Sequence, residues 1–464
     1  MLAGRWVRRK RMAKTTLTLF GGVNEIGGNK ILVRDNDTQI FLDFGLSFAK
    51  ERKYFAGYLC PRAVNGAGDY LEFGLLPNIK GLYAKEAIQN TDVEYTEPVI
   101  DAVIVSHAHL DHTGYLPFID DGIPVYCGEG TRMIIDAIEE SSRTNLGDRN
   151  YRTFRTGKTI QIGSLEIEPI HVDHSIPSAY GFIVHTSRGT VAYTGDLRTH
   201  GPLGQMTWDF ATRAHQSDID LLICEGTRVS PRENREIHSE AMVRRECSRV
   251  VSNAAKLVVA SFYSRDIDRF KTFYGIAKRT DRKFVIPIKL AHLLHRLEKD
   301  PRLRIPHVLT DDTIVFYKKR KRSGEFLPKD YHVWERPFLE KAKTFKYVRK
   351  NQTRIIFNLD LIGFTELIDV RPTAGGEFIH SMSEPYTEED IEVKVLHKWL
   401  SHFGLRFHQI HASGHCHTSD LEKVVNTIQP KRLVPIHTEH PKLFKRLFKK
   451  YDVKLAHEGK PIEL

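Results

Sequence analysis

Residues 106–112 read SHAHLDH, so that His107, His109, Asp111 and His112 fall within six positions, directly after the apolar run AVIV. Imidazoles two positions apart on an extended chain point to the same side. The turn that follows can aim Asp111 and His112 at a second point a few ångströms away. One metal ion would leave some of these donors unused. Two zinc ions roughly 3.5–4 Å apart can hold a bridging hydroxide and clamp a phosphate between them. A lone histidine would be read as part of the core, whereas this cluster is read as a dinuclear metal site.

Such a site needs donors from elsewhere, and the chain supplies them at the ends of apolar runs. PIHVDHSIP (169–177) offers His171 and His174, TVAYTGD (190–196) offers Asp196, and RLVPIHTEH (432–440) offers His437 and His440. A carboxylate is the natural bridge, because Asp196 can give one oxygen to each ion while imidazoles fill the separate coordination shells. Taken singly, each would more commonly be a structural histidine or a turn aspartate. Together they reverse that reading.

From Thr15 the chain consists of short β-rich runs punctuated by Gly and Asp, among them KILVRD (30–35), TQIFLDFG (38–45) and IDLLICEGT (219–227). TRMIIDAIEE (131–140) has helical spacing. The order predicts packed sheets with helices outside. After Thr227 a polar helix (239–255) leads to the strand LVVASF, the helix RDIDRFKTFYGIAKRT and the strand KFVIPI, which is the βαβ grammar of a separate α/β unit. The irregular stretch 50–98 suits either a lid over substrate or a packed surface loop.

At 464 residues, two folding units are expected. The net charge of +11 favours an acidic partner, nucleic acid being the commonest; a basic protein with no polyanion to bind is the competing reading. Residues 307–355 are dense in basic and aromatic side chains, as in FYKKRKRSG and FKYVRK, and read either as a solvated face or as a surface for nucleic acid. Five scattered cysteines without a CxxC pair argue against a disulfide scaffold or a Cys-based zinc site. No apolar run approaches the roughly 18 residues that span a bilayer, so no membrane partner and a cytoplasmic location are expected. The opening MLAGRWVRRKRMAK reads as a disordered basic arm, with Met12 as an alternative start.

HAHLDH, DHSIP, YTGD and PIHTE resemble the ordered motifs of the metallo-β-lactamase superfamily. CEGT (224–227) and HASGH (411–415), with FGGVNEIGGN and FLDFG near the start, resemble its β-CASP nucleases of the ribonuclease J kind, over nearly all of residues 15–464. The resemblance implies an α/β fold: a metallo-β-lactamase αββα sandwich carrying an inserted α/β β-CASP domain. The expected division is a basic arm at 1–14, the sandwich at 15–227, the insert at 228–408, and the rest of the sandwich at 409–464. It further implies that His107, His109 and His174 hold one zinc and Asp111, His112 and His437 the other, with Asp196 bridging and manganese as the substitute ion. Asp43 of FLDFG resembles the buried acid that supports the metal loop. A departing 3′ oxygen needs a proton, and the family match for its donor is His415, paired with Glu225; a neighbouring carboxylate favours imidazolium. His411 reads as a satisfied strand histidine and His417 as surface. Ser413 and Gly414 form a small-residue turn able to meet a phosphate. Ser261, Ser264 and Arg265 of SFYSR follow a strand where the resemblance suggests a phosphate pocket, with a helix cap as the other reading of Ser264.

The chain ends soon after PIHTE, so the extra C-terminal domain of bacterial ribonuclease J is expected to be missing; oligomerisation inferred from that domain does not carry over, and the sequence leaves the oligomeric state, a homodimer included, open. IIFNLDLIGF and GGEFIHSMSEP replace a Gly-rich, Met-containing stretch of the relatives, which puts substrate contacts on the insert in doubt. The leading expectation is hydrolysis of single-stranded RNA to 5′-phosphate products, exo- or endonucleolytic. His437 tilts it towards RNA, since DNA-repair members carry an apolar residue at that position. The alternatives are a DNA nuclease of the same branch, a small-molecule ester or thioester metallohydrolase, and a non-catalytic nucleic-acid-binding subunit.

Overall fold

The computed structural model describes residues 14–141, 149–231, 239–383 and 391–464. Nearly all of the basic arm, including Met12, lies outside them. Strands Thr15–Gly21, Lys30–Asp35 and Thr38–Phe44 pair antiparallel, Ala102–Ile104, Val125–Gly128 and Tyr151–Phe154 add in parallel, and Pro461–Glu463 closes the other edge. A second seven-stranded sheet runs in the order Asp452–Val453, Arg432–Ile436, Leu221–Glu225, Gly189–Tyr193, Ala179–Thr186, Leu165–Val172, Ile160–Ile162. Its central strands are parallel, with Tyr193 beside Ile223 and Glu225 beside Ile436, so their C-terminal ends share one edge.

Alternation along these strands gives each sheet two apolar faces. Ile31, Val33 and Leu42 of the first sheet meet Ile167, Val184 and Ile223 of the second in a shared core. Helices Gly204–Gln216 and Thr418–Ile428 cover the outer face of the second sheet through Phe210, Ala211, Leu421 and Val425. The outer face of the first is covered by Leu75, Leu76, Leu82, Tyr83 and Ile88. The result is an αββα sandwich. Of the two readings of residues 50–98, packed cover describes 67–88, while Tyr58 and Val64 stand 94% and 79% exposed.

A third sheet is parallel throughout, in the order Ile314–Tyr317, Lys283–Pro287, Ile355–Asn358, Val258–Ser261, Gly376–His380, Leu405–Gln409. Parallel sheets are buried on both faces. Accordingly Val258 and Ala260 pack with Cys247, Phe270 and Phe273, and Leu257 and Val259 with Phe357, Leu367 and Leu400. The first of these layers also takes in Ala108 of the histidine loop and Ile176 of DHSIP. Fully buried Arg198 joins the same parts, lying 3.3 Å from Asp173, 3.0 Å from Glu240 and 2.7 Å from Asp268. Buried charges persist when paired in this way, and here the pairs tie the neighbours of His174 and Asp196 to helices Glu240–Asn253 and Ile267–Arg279.

Candidate metal centre

The histidine loop leaves strand Ala102–Ile104, and Asp196, His437 and His174 follow Gly189–Tyr193, Arg432–Ile436 and Leu165–Val172. All of them leave one edge of the sandwich. Two groups of donor atoms result, each within 4.8 Å of one another: His107, His109, His174 and Asp196, and Asp111, His112, Asp196 and His437. They share Asp196. Its Oδ2 lies 3.1 Å from His112 Nε2, 3.6 Å from His107 Nε2 and from His437 Nε2, and 3.9 Å from His174 Nε2. Its Oδ1 is buried and has no hydrogen-bond partner among the described residues.

In the first group His107 Nε2 and His174 Nε2 lie 3.0 and 3.2 Å from His109 Nδ1. The opposite nitrogens of two of these rings are engaged: His174 Nδ1 faces the Gly414 carbonyl at 2.5 Å, and His107 Nδ1 faces Ser106 Oγ at 3.1 Å. Engaging one ring nitrogen fixes which one offers its lone pair. Burial, followed by the nearby imidazoles, holds His107 and His174 well below the usual histidine range, and burial above all brings His109 down to about 3. Three neutral imidazoles converging on a carboxylate, one oxygen of which lacks a donor, fit a divalent cation. Tetrahedral donors about 2.0–2.1 Å from zinc stand roughly 3.3 Å apart, close to the distances here.

At His112, in the second group, the opposite holds. Burial works against a charge on His112, but Asp196, Asp43 and Asp111 together raise its pKa well above the usual value. The three carboxylates around this one buried ring thus favour positive charge at this point. His437 Nε2 lies 3.2 Å from Asp111 Oδ2. Asp43, fully buried, faces His112 Nδ1 at 2.7 Å and accepts hydrogen bonds from Ser106 N at 2.7 Å, Ser106 Oγ at 2.8 Å and Tyr193 OH at 2.7 Å. Both Asp43 (φ 58°) and His437 (φ 55°) adopt the left-handed conformation, costly for such residues and held by these contacts. Gly45 lies so close to the loop that a Cβ would overlap the Asp111 carbonyl. Replacing Asp43 by Asn leaves His112 or Ser106 without an acceptor and is expected to weaken metal binding about 10–100-fold. Competition with a chromogenic chelator reads this out; unchanged affinity would remove Asp43 from the support of the site.

His415 stands beside the second group, with Nδ1 3.2 Å from both oxygens of Glu225 and 4.0 Å from Asp196. Burial disfavours its charge, but Glu225 and then Asp196 prevail and raise its pKa to about 9. Glu225 also accepts from Leu197 N, Thr227 N and Thr227 Oγ1. Its lone pairs are thus occupied, which suits an acceptor for His415 better than a third metal group. Thr227 was not among the expected site residues, yet its hydroxyl also lies 2.8 Å from His437 Nδ1 and 3.1 Å from His415 Nδ1. Its position in CEGT is the only sequence signal for it.

The remaining expected residues divide. Ser413 Oγ accepts from His415 N, and Gly414 packs so tightly on His174 and Ser175 that a Cβ would meet both at 2.8 Å, so this turn orients two histidines. Arg265 donates to the Ala108 carbonyl at 3.2 Å and so reaches the histidine loop. Ser261 is buried with its hydroxyl on Met382 Sδ. Ser264 is exposed, and the cap of the helix after it is Asp266, whose carboxylate accepts from Arg269 N; the cap reading of Ser264 is therefore corrected. His171 stacks on Tyr180, and His440 precedes helix Pro441–Leu447; neither belongs to a donor group. His411 faces Ser381 O at 3.3 Å, and His417 caps helix Thr418–Ile428.

A family model described as a beta-lactamase superfamily domain matches residues 77–259, and one described as a Zn-dependent metallo-hydrolase RNA specificity domain matches residues 403–457. Ribonuclease J of Helicobacter pylori is 25% identical over 281 residues, which is 59% of this chain and 36% of that protein. Ribonuclease J 2 of Streptococcus pyogenes is 21% identical over 445 residues, 92% of this chain and 70% of that one. Ribonuclease J of Mycoplasma genitalium is 23% identical over 445 residues, 92% and 68%. The matched stretches thus span from about a third to 70% of these relatives. A crystal structure of a protein of unknown function from Enterococcus faecalis, 24% identical, has the same fold, with a TM-score of 0.76 over 97% of this chain and 100% of that one. With these matches flanking most of the third sheet in sequence, the chain has a metallo-β-lactamase fold, carries matches to a beta-lactamase superfamily domain and to a Zn-dependent metallo-hydrolase RNA specificity domain, and is similar to the ribonucleases J.

Proposed function

We propose that the chain is a two-zinc ribonuclease that hydrolyses phosphodiester bonds of single-stranded RNA to leave 5′-phosphate products. The observation that carries this reading is the sharing of Asp196 by two donor groups. His107, His109 and His174 would hold one ion, and Asp111, His112 and His437 the other, with manganese also compatible with this donor set. Bound there, the pair would lower the pKa of water towards neutrality and draw charge from the phosphate oxygens.

His415 supplies a proton. With Nδ1 turned to Glu225 and Thr227, its Nε2 is left for the substrate. Arg265 adds a fixed positive charge at the rim of the histidine loop, suited to a phosphate. The chain's surplus of cations and its similarity to ribonucleases J support RNA as substrate. The division of the chain at 227/228 and 408/409 belongs to the same reading.

The decisive assay uses end-labelled RNA and DNA of one sequence, each with a 5′ monophosphate or triphosphate, and zinc-loaded or chelator-stripped protein. Zinc-dependent loss of RNA with 5′-phosphate products is expected, and the product ladder separates exonuclease from endonuclease. Equal cleavage of DNA would move the reading to a general nuclease. Inertness to both, with hydrolysis of a thioester, would overturn it.

A further inference from the structure

Between Lys318 and Lys350 stand twelve Lys and Arg against four Asp and Glu, a surplus of eight in a chain whose whole surplus is eleven. The segment opens with five consecutive cations, Lys318 to Arg322, directly after strand Ile314–Tyr317. That strand is an edge of the parallel third sheet, so its C-terminal end lies on the same side as that of Val258–Ser261. From the latter the chain runs into Arg265, which touches the histidine loop. Three strand positions separate the two, about 14 Å at the ~4.8 Å spacing of neighbouring strands. Between them, exposed Lys289 follows strand Lys283–Pro287, whose C-terminal end lies on the same side of the sheet.

Three of the five opening cations are held over aromatic rings. Arg320 lies 4.6 Å from the centroid of Phe345, Lys321 5.5 Å from Tyr331 and Lys318 5.9 Å from Phe326. Rings covered in this way are taken up by cation–π contact and are poor platforms for bases, while the charges stay at the surface. Asp369 pairs with Arg320 and Glu335 with Lys321, but among the described residues no carboxylate pairs with Lys319 or Arg322.

We propose that the carboxyl edge of the third sheet, from Arg265 through Lys289 to Lys318–Arg322, is a phosphate-binding track that holds single-stranded RNA running from the metal centre. This rests on the ribonuclease reading and adds a recognition mode: the track reads backbone charge, without sequence preference. An RNA long enough to follow the edge gains from it. A dinucleotide occupies the metal centre alone and gains nothing.

The double variant Lys319→Ala/Arg322→Ala removes two cations that hold no ion pair, so the fold is kept, and circular dichroism checks this. In zinc-loaded protein, KM for a long single-stranded RNA is expected to rise about tenfold with kcat unchanged, while cleavage of a dinucleotide stays at the wild-type rate. The slope of log affinity against log salt should fall by about 1.4, since each phosphate contact on a single strand contributes about 0.7. An unchanged KM and salt slope, or an equal loss on the dinucleotide, would overturn the track. A wild-type protein that neither binds nor cleaves RNA would instead sink the ribonuclease reading, and the wild-type control distinguishes the two failures.

Discussion

Asp196→Ala is expected to empty both metal positions and to lower RNA cleavage by a factor on the order of 10⁴ or more. The carboxylate is 1% exposed, and its Oδ2 is within 4.0 Å of ring nitrogens from His107, His112, His174, His415 and His437. No other side chain belongs to both donor groups. Asp111→Ala and His112→Ala touch only the second group, and each should abolish cleavage while one ion is kept. Elemental analysis of dialysed protein therefore distinguishes the three: about two ions per chain in the wild type, about one in the Asp111 and His112 variants, and close to none in the Asp196 variant. Loss of the Asp196 charge leaves His112 paired with Asp43, so the apo form should stay folded. Two ions retained in Asp196→Ala, or a rate within tenfold of wild type, would mean that the site does not centre on this residue.

The donor residues were legible because ligation restricts residue type and spacing together. SHAHLDH, Asp196 and the histidine pairs His171/His174 and His437/His440 at strand ends point to the centre before any contact is known, and the choice of His174 and His437 within those pairs comes from the resemblance of DHSIP and PIHTE to the family motifs. The paired sheets follow from alternation for the same reason. What escaped depends on segments distant in sequence. Thr227 matters because its hydroxyl sits between Glu225, His415 and His437, and a threonine after a glycine carries no such mark. The left-handed backbone at Asp43 and His437 is imposed by neighbours rather than by residue type. Ser261 looked available for a ligand, yet the next strand brings Met382 over it. Nothing in their own segments marks Arg198 and Glu240 for burial, which arises only where third-sheet helices meet the sandwich and Asp268 joins them. The basic stretch that begins at Lys318 was visible as composition, but only the strand order puts it on the edge that holds Arg265.

His415→Ala is expected to slow RNA cleavage about 10²–10⁴-fold, the usual worth of general acid catalysis, with both metal ions retained. The imidazole belongs to neither donor group that meets at Asp196. With its pKa raised to about 9 it carries its proton at neutral pH, against the cost of burial, because Glu225 and Asp196 face it. Glu225→Gln removes the first of these charges and should lower the rate in the same direction but by less, since Thr227 still orients the ring. The departing ribose oxygen is a poor leaving group and needs the proton, whereas a nitrophenolate leaves without one. A nitrophenyl phosphodiester should therefore be hydrolysed by His415→Ala at close to the wild-type rate while RNA is not. If both substrates slow by the same factor, His415 acts on binding or on the shape of the centre, and the proton must come from elsewhere. If neither slows, the contact with Glu225 is structural, and the similarity of HASGH to the family motif carries no role in the reaction.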